Sequence, residues 1–323
     1  MKRILLLTVI VIFNLSIFTS FSYIKEEEAY GIMTIVLNEG RVTHYYKYNL
    51  INKKYKEIYK KADNDYSCGK ITKDCKTLYF THKGDDKQNE LYKFDIASSR
   101  ISKVTKDLKV DIFDIGRDKI FLRCREKKHK NNNLAILKLP SNSIKICNEE
   151  ELDSDIYHLQ YNSFNHKLYT IERSKKELLE ANLSKLPTHK IVQYNEEGEK
   201  EKELFEIKGF IKRSSVSKDG SRALVSVSFG PFDYKIYLID FEKRQQSVVL
   251  ESTNSLKISK ALFSPKEKGF YFLGSNKEFK IIDENAQQIV RSNAVFYYDF
   301  STKKISEAFY EASGFINEFT IAY

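Results

Sequence analysis

Six histidines are the side chains of this sequence best suited to metal binding or proton transfer, and they are scattered along the chain. They are His44, His82, His129, His158, His166 and His189. No two of them stand at a spacing that would place two metal ligands on one face of a strand. We therefore interpret them as hydrogen-bonded or exposed side chains and predict no metal site.

Two acidic stretches carry the oxygen ligands that Ca²⁺ prefers: "DND" at 63–65 and "GDDKQNE" at 84–90. Neither follows the D-x-D-x-D-G pattern of a calcium loop, so we interpret both as solvated turns. The sequence also lacks G-x-S-x-G, H-E-x-x-H, G-x-G-x-x-G and the P-loop. It therefore predicts no catalytic residue and no cofactor.

The four cysteines, Cys68, Cys75, Cys124 and Cys147, contain no C-x-x-C pair and match no zinc pattern. Export to an oxidising compartment would allow these cysteines to form disulfides. Cys68 and Cys75 flank a predicted hairpin turn but do not stand opposite one another in its register. The sequence therefore assigns no particular disulfide and leaves the redox state of the four thiols open. We interpret the cysteines as small apolar residues buried on strands.

The first residues, "MKRILLLTVIVIFNLSIFTSFS", join two basic residues to an uncharged apolar run from Ile4 to Phe21. This is typical of a signal peptide over 1–22, with small residues at Ser20 and Ser22 before a cleavage site. The run is also long enough to serve as an uncleaved membrane anchor, and a buried core helix is a third interpretation. Both export interpretations place a linker at 23–30 and the remaining chain outside the cytoplasm.

The net charge of +10, or +8 without Lys2 and Arg3, is spread along the chain among acidic residues. Its densest basic run is "REKKHK" at 125–130, which we interpret as a solvated loop, with weak attraction to an anionic surface as the alternative. The export signal disfavours nucleic acid as a partner. The absence of Trp disfavours a carbohydrate-stacking surface, so we assign most of the 21 Tyr and 22 Phe to sheet packing.

A turn followed by an apolar strand recurs along the chain. The copies are "TKDCKTLYF" (72–80), "GRDKIFL" (116–122), "SFNHKLYTI" (163–171), "SKDGSRALV" (217–225) and "SPKEKGFYF" (264–272). Asp, Asn and Gly fit such turns because they satisfy turn backbone groups and tolerate unusual φ angles.

A second element recurs six times, once before the first of these copies and once after each of the five: an alternating strand, an Asp, Asn or Lys that we call the anchor residue, a polar turn and another strand. The anchors are Asn49, Asp95, Lys138, either Asn182 or Asn195, Asp240 and Asp299. In the fourth copy both "ELLEANLSK" (177–185) and "KIVQYNEEGEKEKEL" (190–204) fit the pattern. Clean copies recur about every 45 residues, the period of a propeller blade.

These repeats predict an all-β fold: a six-bladed β-propeller of four-stranded blades over 31–323, because one short meander cannot bury both of its faces alone. The first copy starts at "GIMTIVL" (31–37) as a second strand, and the chain ends on "GFINEFTIAY" (314–323). We predict that this last strand completes blade one, and we expect no further domain. Insertions are expected at 175–190, as a short helix or a hairpin, and at 277–290, as an extra hairpin in blade six.

Two segments of the sequence resemble the WD40-like propeller repeat of the TolB type. They are "SKDGSRALVSV…YKIYLIDFEKRQQSVVL" and "SPKEKGFYF…VFYYDFSTKKISEAF". Ser217, Asp219 and Gly220 match the family's S-P-D-G turn, and Ser264 and Pro265 match its start. The resemblance covers about 31–323 and leaves no room for a separate N-terminal α/β domain. It implies a six-bladed propeller that often serves as a binding platform in the cell envelope, and it implies no catalytic residues.

The sequence therefore favours an exported, monomeric, non-catalytic propeller that binds a protein or cell-wall component at the cell surface. One alternative is an extracellular hydrolase or lyase whose active site gathers residues from several blades at the central channel. Another is a sensory ectodomain held by an uncleaved N-terminal helix.

Overall fold

The computed structural model describes residues 31–62, 67–84, 88–126, 131–148, 150–151, 153–230, 233–276, 278–284 and 289–322. The predicted signal or anchor segment and the linker lie outside these residues, as do 63–65, 85–87 and 127–130 of the polar stretches noted above. Among the described residues, no helix has the length and apolar character needed to cross a bilayer.

Six sheets of four strands each form the ring, and the chain passes through them in order. The first thirteen strands are β1 (Ile32–Glu39), β2 (Val42–Asn49), β3 (Tyr55–Lys61), β4 (Gly69–Ile71), β5 (Thr77–Lys83), β6 (Asn89–Asp95), β7 (Arg100–Lys103), β8 (Leu108–Ile115), β9 (Lys119–Glu126), β10 (Asn133–Lys138), β11 (Ser143–Ile146), β12 (Ser154–Asn162) and β13 (Lys167–Ser174). The others are β14 (Thr188–Tyr194), β15 (Lys200–Lys208), β16 (Phe210–Val216), β17 (Arg222–Ser228), β18 (Tyr234–Asp240), β19 (Gln245–Glu251), β20 (Lys257–Phe263), β21 (Gly269–Ser275), β22 (Ile281–Glu284), β23 (Ile289–Arg291), β24 (Ala294–Asp299), β25 (Ile305–Tyr310) and β26 (Phe315–Ile321).

The blades follow from these strands, each read from the centre of the ring outwards. Blade one is β26-β1-β2-β3, blade two β4-β5-β6-β7, blade three β8-β9-β10-β11, blade four β12-β13-β14-β15, blade five β16-β17-β18-β19 and blade six β20-β21-β24-β25. The predicted all-β, six-bladed propeller is confirmed.

Burial falls from the second strand of each blade to its outer edge. On β17, "RALVSVS", every residue after Arg222 is buried, whereas β7, "RISK", is almost entirely exposed. Second strands are apolar on both faces because each lies between two neighbouring blades. Among the described residues, six buried apolar clusters form, one at each blade–blade interface.

The ring is closed by the C-terminal strand, as predicted. β26 pairs antiparallel with β1, with Ile35 opposite Phe319 and Met33 opposite Ile321. The Tyr48 hydroxyl also donates to the Ala308 carbonyl at 2.7 Å, which joins blade one to blade six. Closure therefore depends on non-covalent contacts between the two ends of the propeller.

The anchor residues stand at the end of the third strand of each blade, and all of them except Lys138 cap the following turn through a side-chain oxygen. Asp299 Oδ1 accepts from the backbone N–H groups of Ser301 and Thr302, both at 2.9 Å. Asn195 Oδ1 does the same for Glu197 and Glu199. The fourth anchor is Asn195 and not Asn182, because the third strand of blade four, Thr188–Tyr194, ends directly before Asn195. Such turns explain the Asp and Asn preference, since a short carboxylate or amide reaches the backbone two to four residues ahead.

Both predicted insertions connect the second and third strands of a blade. In blade four, helix α1 (Lys175–Glu180) begins at Ser174, whose hydroxyl accepts from the Glu177 N–H at 3.1 Å. In blade six, β22 and β23 form the predicted extra hairpin. Because strands alternate in direction, these connections share one face of the ring with the crossovers between blades; we call it the insertion face. The anchor turns and the "SKDGS"-type turns lie on the opposite face, the turn face.

Candidate functional site in the central channel

The central channel is lined by the innermost strands β26, β4, β8, β12, β16 and β20. Their side chains leave a cavity of about 30 Å³. A single water needs about 10–15 Å³, so the cavity holds one or two waters or one small group. Residues from all six blades border it, which makes it the place where distant parts of the sequence meet.

A bulge recurs in five of the innermost strands and changes which side chains face the channel. The extra residues are Asp111 on β8, Tyr157 on β12, Lys212 on β16, Lys260 with Ala261 on β20, and Asn317 on β26. A bulge bends the strand and re-aims neighbouring side chains. The repeated bulge therefore gives the insertion-face half of the channel a polar lining that simple alternation would not produce.

One carboxylate of the channel, Asp114, joins three blades. Its Oδ1 pairs with the Lys70 ammonium group of blade two. Its Oδ2 accepts from the Tyr161 backbone N–H of blade four at 2.9 Å. Because both oxygens are already engaged, Asp114 acts in the structure as a junction between blades.

The other carboxylate, Glu318, faces two cations from two further blades. Arg213 Nη1 lies 2.6 Å from Glu318 Oε1, and Lys260 Nζ lies 3.7 Å from Oε2. Oε1 also accepts from the Phe319 N–H at 3.0 Å. Charged hydrogen bonds of this kind hold a carboxylate in a fixed orientation.

A histidine and a serine also meet in the channel. His158 Nδ1 lies 3.2 Å from Ser214 Oγ, and both residues are buried. Burial, and then the positive charges of Arg213, Arg123 and Lys260, lower the pKa of His158 well below its usual value. No described residue hydrogen-bonds to Nε2, so no carboxylate orients this imidazole as in a catalytic triad.

The other histidines do not gather with His158. His44 pairs with Glu57 at 2.5 Å and His166 contacts Glu196 at 3.4 Å, while His129 lies outside the described residues. His189 is buried on β14, where burial and then the charge of Arg173 lower its pKa to about 4. Within the described ranges, no group of three or more His, Cys, Asp or Glu side chains is arranged to hold a metal.

The acidic stretch at 84–90 has a structural role where it is described. Glu90 is buried, its Oε1 accepts from the Asp107 N–H at 3.0 Å, and its other oxygen pairs with Lys103. This carboxylate therefore ties β6 to the chain entering β8.

The four cysteines are free thiols. Cys124 is buried on β9, as interpreted from the sequence, and burial raises its pKa to about 12. Cys68 has the same pKa of about 12, with burial again the main cause. Cys68, Cys75 and Cys147 lie just outside strands and are only partly buried as whole residues, so their placement on strands was wrong.

Comparison with known proteins gives fold neighbours only. No protein-family model matches the chain, and no curated protein matches it. The structure of TolB from Acinetobacter baumannii is similar at a TM-score of 0.65 and 15% identity, over 91% of this chain and 67% of that one.

Two further structures share the architecture. A TolB-type protein of Agrobacterium tumefaciens has a TM-score of 0.55 and 12% identity, covering 88% of this chain and 92% of that one. An oligogalacturonate lyase in complex with manganese has a TM-score of 0.54 and 12% identity, covering 85% and 72%. The closed ring, the blade order and these neighbours identify the fold of this chain as a TolB-like six-bladed β-propeller.

Proposed function

We propose that this chain is an exported, non-catalytic propeller that binds a protein or a cell-envelope component outside the cytoplasm. The observation that carries the proposal is an apolar pair in the insertion of blade four. Leu179 is 86% exposed and Leu183 is 64% exposed, on the face of the ring that carries both insertions. Two strongly exposed leucines within one insertion favour a surface that a partner covers.

The contacts within the channel count against acid–base catalysis there. Asp114 and Glu318 are both held in ion pairs, the pKa of His158 is lowered well below its usual value, and no carboxylate of the described residues hydrogen-bonds to its ring. General acid–base catalysis needs a group whose pKa lies near the working pH and that reaches the substrate. The described carboxylates of the channel, Asp114 and Glu318, instead connect different blades through ion pairs and hydrogen bonds.

Export is supported by the sequence of 1–22, with its two basic residues and its apolar run. The N-terminal residue of the protein recovered from its source cells distinguishes a cleaved signal peptide from an uncleaved membrane anchor. A chain beginning near Tyr23 indicates a cleaved signal peptide. Intact Met1 in the membrane fraction indicates an anchor and favours the sensory ectodomain. Full-length protein in the cytoplasm would overturn export.

Crosslinking at the cell surface tests the binding role. We expect the wild-type chain to capture a defined partner, and the Leu179→Glu/Leu183→Glu variant to lose it. Ile51→Glu is the matched control, since Ile51 is 61% exposed but lies in an anchor turn on the turn face. Capture that survives the double substitution, or no capture at all, would overturn the role assigned to this surface.

A catalytic channel is the second candidate, because His158, Ser214, Arg213 and Glu318 converge there from three strands. One structure of similar fold is an oligogalacturonate lyase. Incubation of the chain with oligogalacturonate, with absorbance of the unsaturated product as the readout, tests this candidate. Turnover that disappears in Arg213→Gln and in His158→Gln would replace the non-catalytic proposal.

A further inference from the structure

The insertion-face mouth of the channel carries more positive than negative charge. Arg213 lines the channel cavity, and Lys212 precedes it as the extra residue of the β16 bulge. Lys260 stands in the bulge of β20, with its ammonium nitrogen 3.7 Å from Glu318 Oε2. Glu318 is the carboxylate that pairs with Arg213 and Lys260. Asp111 is offset by Lys109 and Asp114 by Lys70, so three cations remain against Glu318. This excess of positive charge in a partly buried place is unfavourable unless an anion offsets it.

Lys212 is the cation without a counterion. Within the part of the chain that the structure describes, no carboxylate pairs with it, and its ammonium group lies 5.9 Å from the centre of the Tyr234 ring. Burial of the ammonium group, and then repulsion from Lys260, lowers the pKa of Lys212. The residue as a whole remains exposed, so an incoming ligand can reach it.

Lys260 is held in place by an unusual backbone conformation. Its φ of 49° lies in the left-handed region although it is inside strand β20. The nine other non-glycine residues with positive φ among the described residues lie between strands. Such a conformation is strained for a residue with a side chain and is retained where the surrounding structure requires it. Here it keeps the Lys260 side chain beside Glu318.

Two buried nitrogens at the same place have no hydrogen-bond partner among the described residues. They are Nε of Arg213, which can only donate, and Nε2 of His158, which can donate when Nδ1 accepts from Ser214. His158 is 4% exposed and lines the channel cavity. Unsatisfied donors beside excess positive charge have the chemistry of an anion site.

We propose that the channel mouth binds one small anion between Lys212, Arg213 and Lys260, with His158 beneath it. The ligand class is a carboxylate or phosphate group, either free or at the end of a larger molecule. The cavity of about 30 Å³ admits only the charged group, so the rest of a larger ligand would extend towards the insertion face. This site goes beyond the proposed partner surface and does not depend on Leu179 or Leu183.

Binding is tested on the full chain in non-ionic detergent, by titration with inorganic phosphate and separately with acetate at constant ionic strength. We expect saturable binding of at least one of them at a single site, with a change in the His158 ring resonances. Lys212→Gln should weaken binding about tenfold or more, because it removes a charge-assisted contact from an exposed residue that folding does not need. Preference for phosphate or for acetate identifies the ligand group.

The matched control is Lys243→Gln. It makes the same change of charge at a lysine whose side chain is 69% exposed, in an anchor turn on the turn face. Unchanged affinity in this control, together with loss in Lys212→Gln, establishes the site. Absence of saturable binding, or equal weakening in both variants, would overturn the proposal, since equal weakening indicates attraction to net charge alone.

Discussion

Arg213 and Glu318 form an ion pair across the central channel, with Arg213 Nη1 2.6 Å from Glu318 Oε1. Arg213 belongs to blade five and Glu318 to the C-terminal strand in blade one, so the pair joins two blades that are not neighbours in the ring. Both side chains are almost fully buried, at 12% and 10% exposure. Ring closure is therefore supported from the channel as well as from the sheet of blade one.

Glu318→Gln should destabilise the protein by about 3–5 kcal/mol, because removing one partner leaves buried positive charge uncompensated. The free energy of unfolding in urea measures this loss. Glu251→Gln is the control: Glu251 is 57% exposed and lies 3.8 Å from Lys235, so its loss should cost less than about 1 kcal/mol. Equal effects of the two substitutions would show that the channel pair adds no stability.

Removal of residues 314–323 should open the ring, because β1 would lose its inner neighbour and expose Met33 and Ile35. A synthetic peptide of residues 314–323 should bind the truncated chain and raise its melting temperature with increasing concentration. The readout is thermal unfolding followed by circular dichroism. A truncated chain that melts like the full chain, with no response to peptide, would contradict non-covalent closure.

Phe319→Ala tests how much the side-chain packing of strand β26 contributes to stability. Phe319 is fully buried between blades six and one, and its truncation should cost about 3–5 kcal/mol. Ile305→Ala, at a residue 39% exposed on the outer strand β25, should change stability by less than about 1 kcal/mol. Chemical unfolding of both variants provides the comparison.

Gly220→Ala should destabilise the "SKDGS" turn more than an ordinary glycine substitution does. Gly220 has φ of 76°, and an added Cβ would lie 2.3 Å from the Tyr169 hydroxyl and 2.4 Å from Asn165 Nδ2, which are hydrogen-bonded to each other. We expect a loss of about 2–4 kcal/mol in unfolding free energy. Gly40→Ala, with φ of 56° and open space around it, should lose only about 1 kcal/mol.

Stability should fall as pH falls below about 6.5, the usual histidine pKa, because two buried histidines have lowered pKa values in the folded state. A depressed pKa means that the unfolded chain binds protons first, so acid favours unfolding. For His189, with a folded pKa of about 4, the loss develops between pH 6.5 and pH 4. Each histidine contributes up to about 1.4 kcal/mol per pH unit.

Urea unfolding at pH 8 and pH 5 measures this slope in wild type, His158→Gln and His189→Gln. Each substitution should reduce the difference in stability between the two pH values, whatever it does to stability at pH 8. Slopes equal to wild type in both variants would show that other groups govern the acid sensitivity.

Much of the fold could be predicted from the sequence because its signals are local. The anchor turns depend on a side chain that caps backbone groups two to four residues ahead, as at Asp299. The second strands contain short apolar runs, "LYF" in β5 and "ALV" in β17, so they are visible without a structure. The unpaired apolar run at each end of the propeller region was sufficient to predict that β26 completes blade one.

The fourth blade shows where local signals fail. Both Asn182 and Asn195 stand in a polar turn near alternating residues, and both side chains cap their own turns. Only the sheet decides between them, because β13 pairs with Thr188–Tyr194 while Lys175–Glu180 forms a helix.

Only the tertiary structure determines which side chains meet in the channel. Lys70, Asp114, His158, Arg213 and Glu318 lie on five innermost strands and share no local motif, so only closing the ring brings them together. Alternation along a strand predicts which face a residue takes, but each bulge shifts that register by one residue. The sequence by itself determined the blades, since turns and apolar runs act over a few residues; the charged channel depends on long-range packing and on bulges that no local pattern marks.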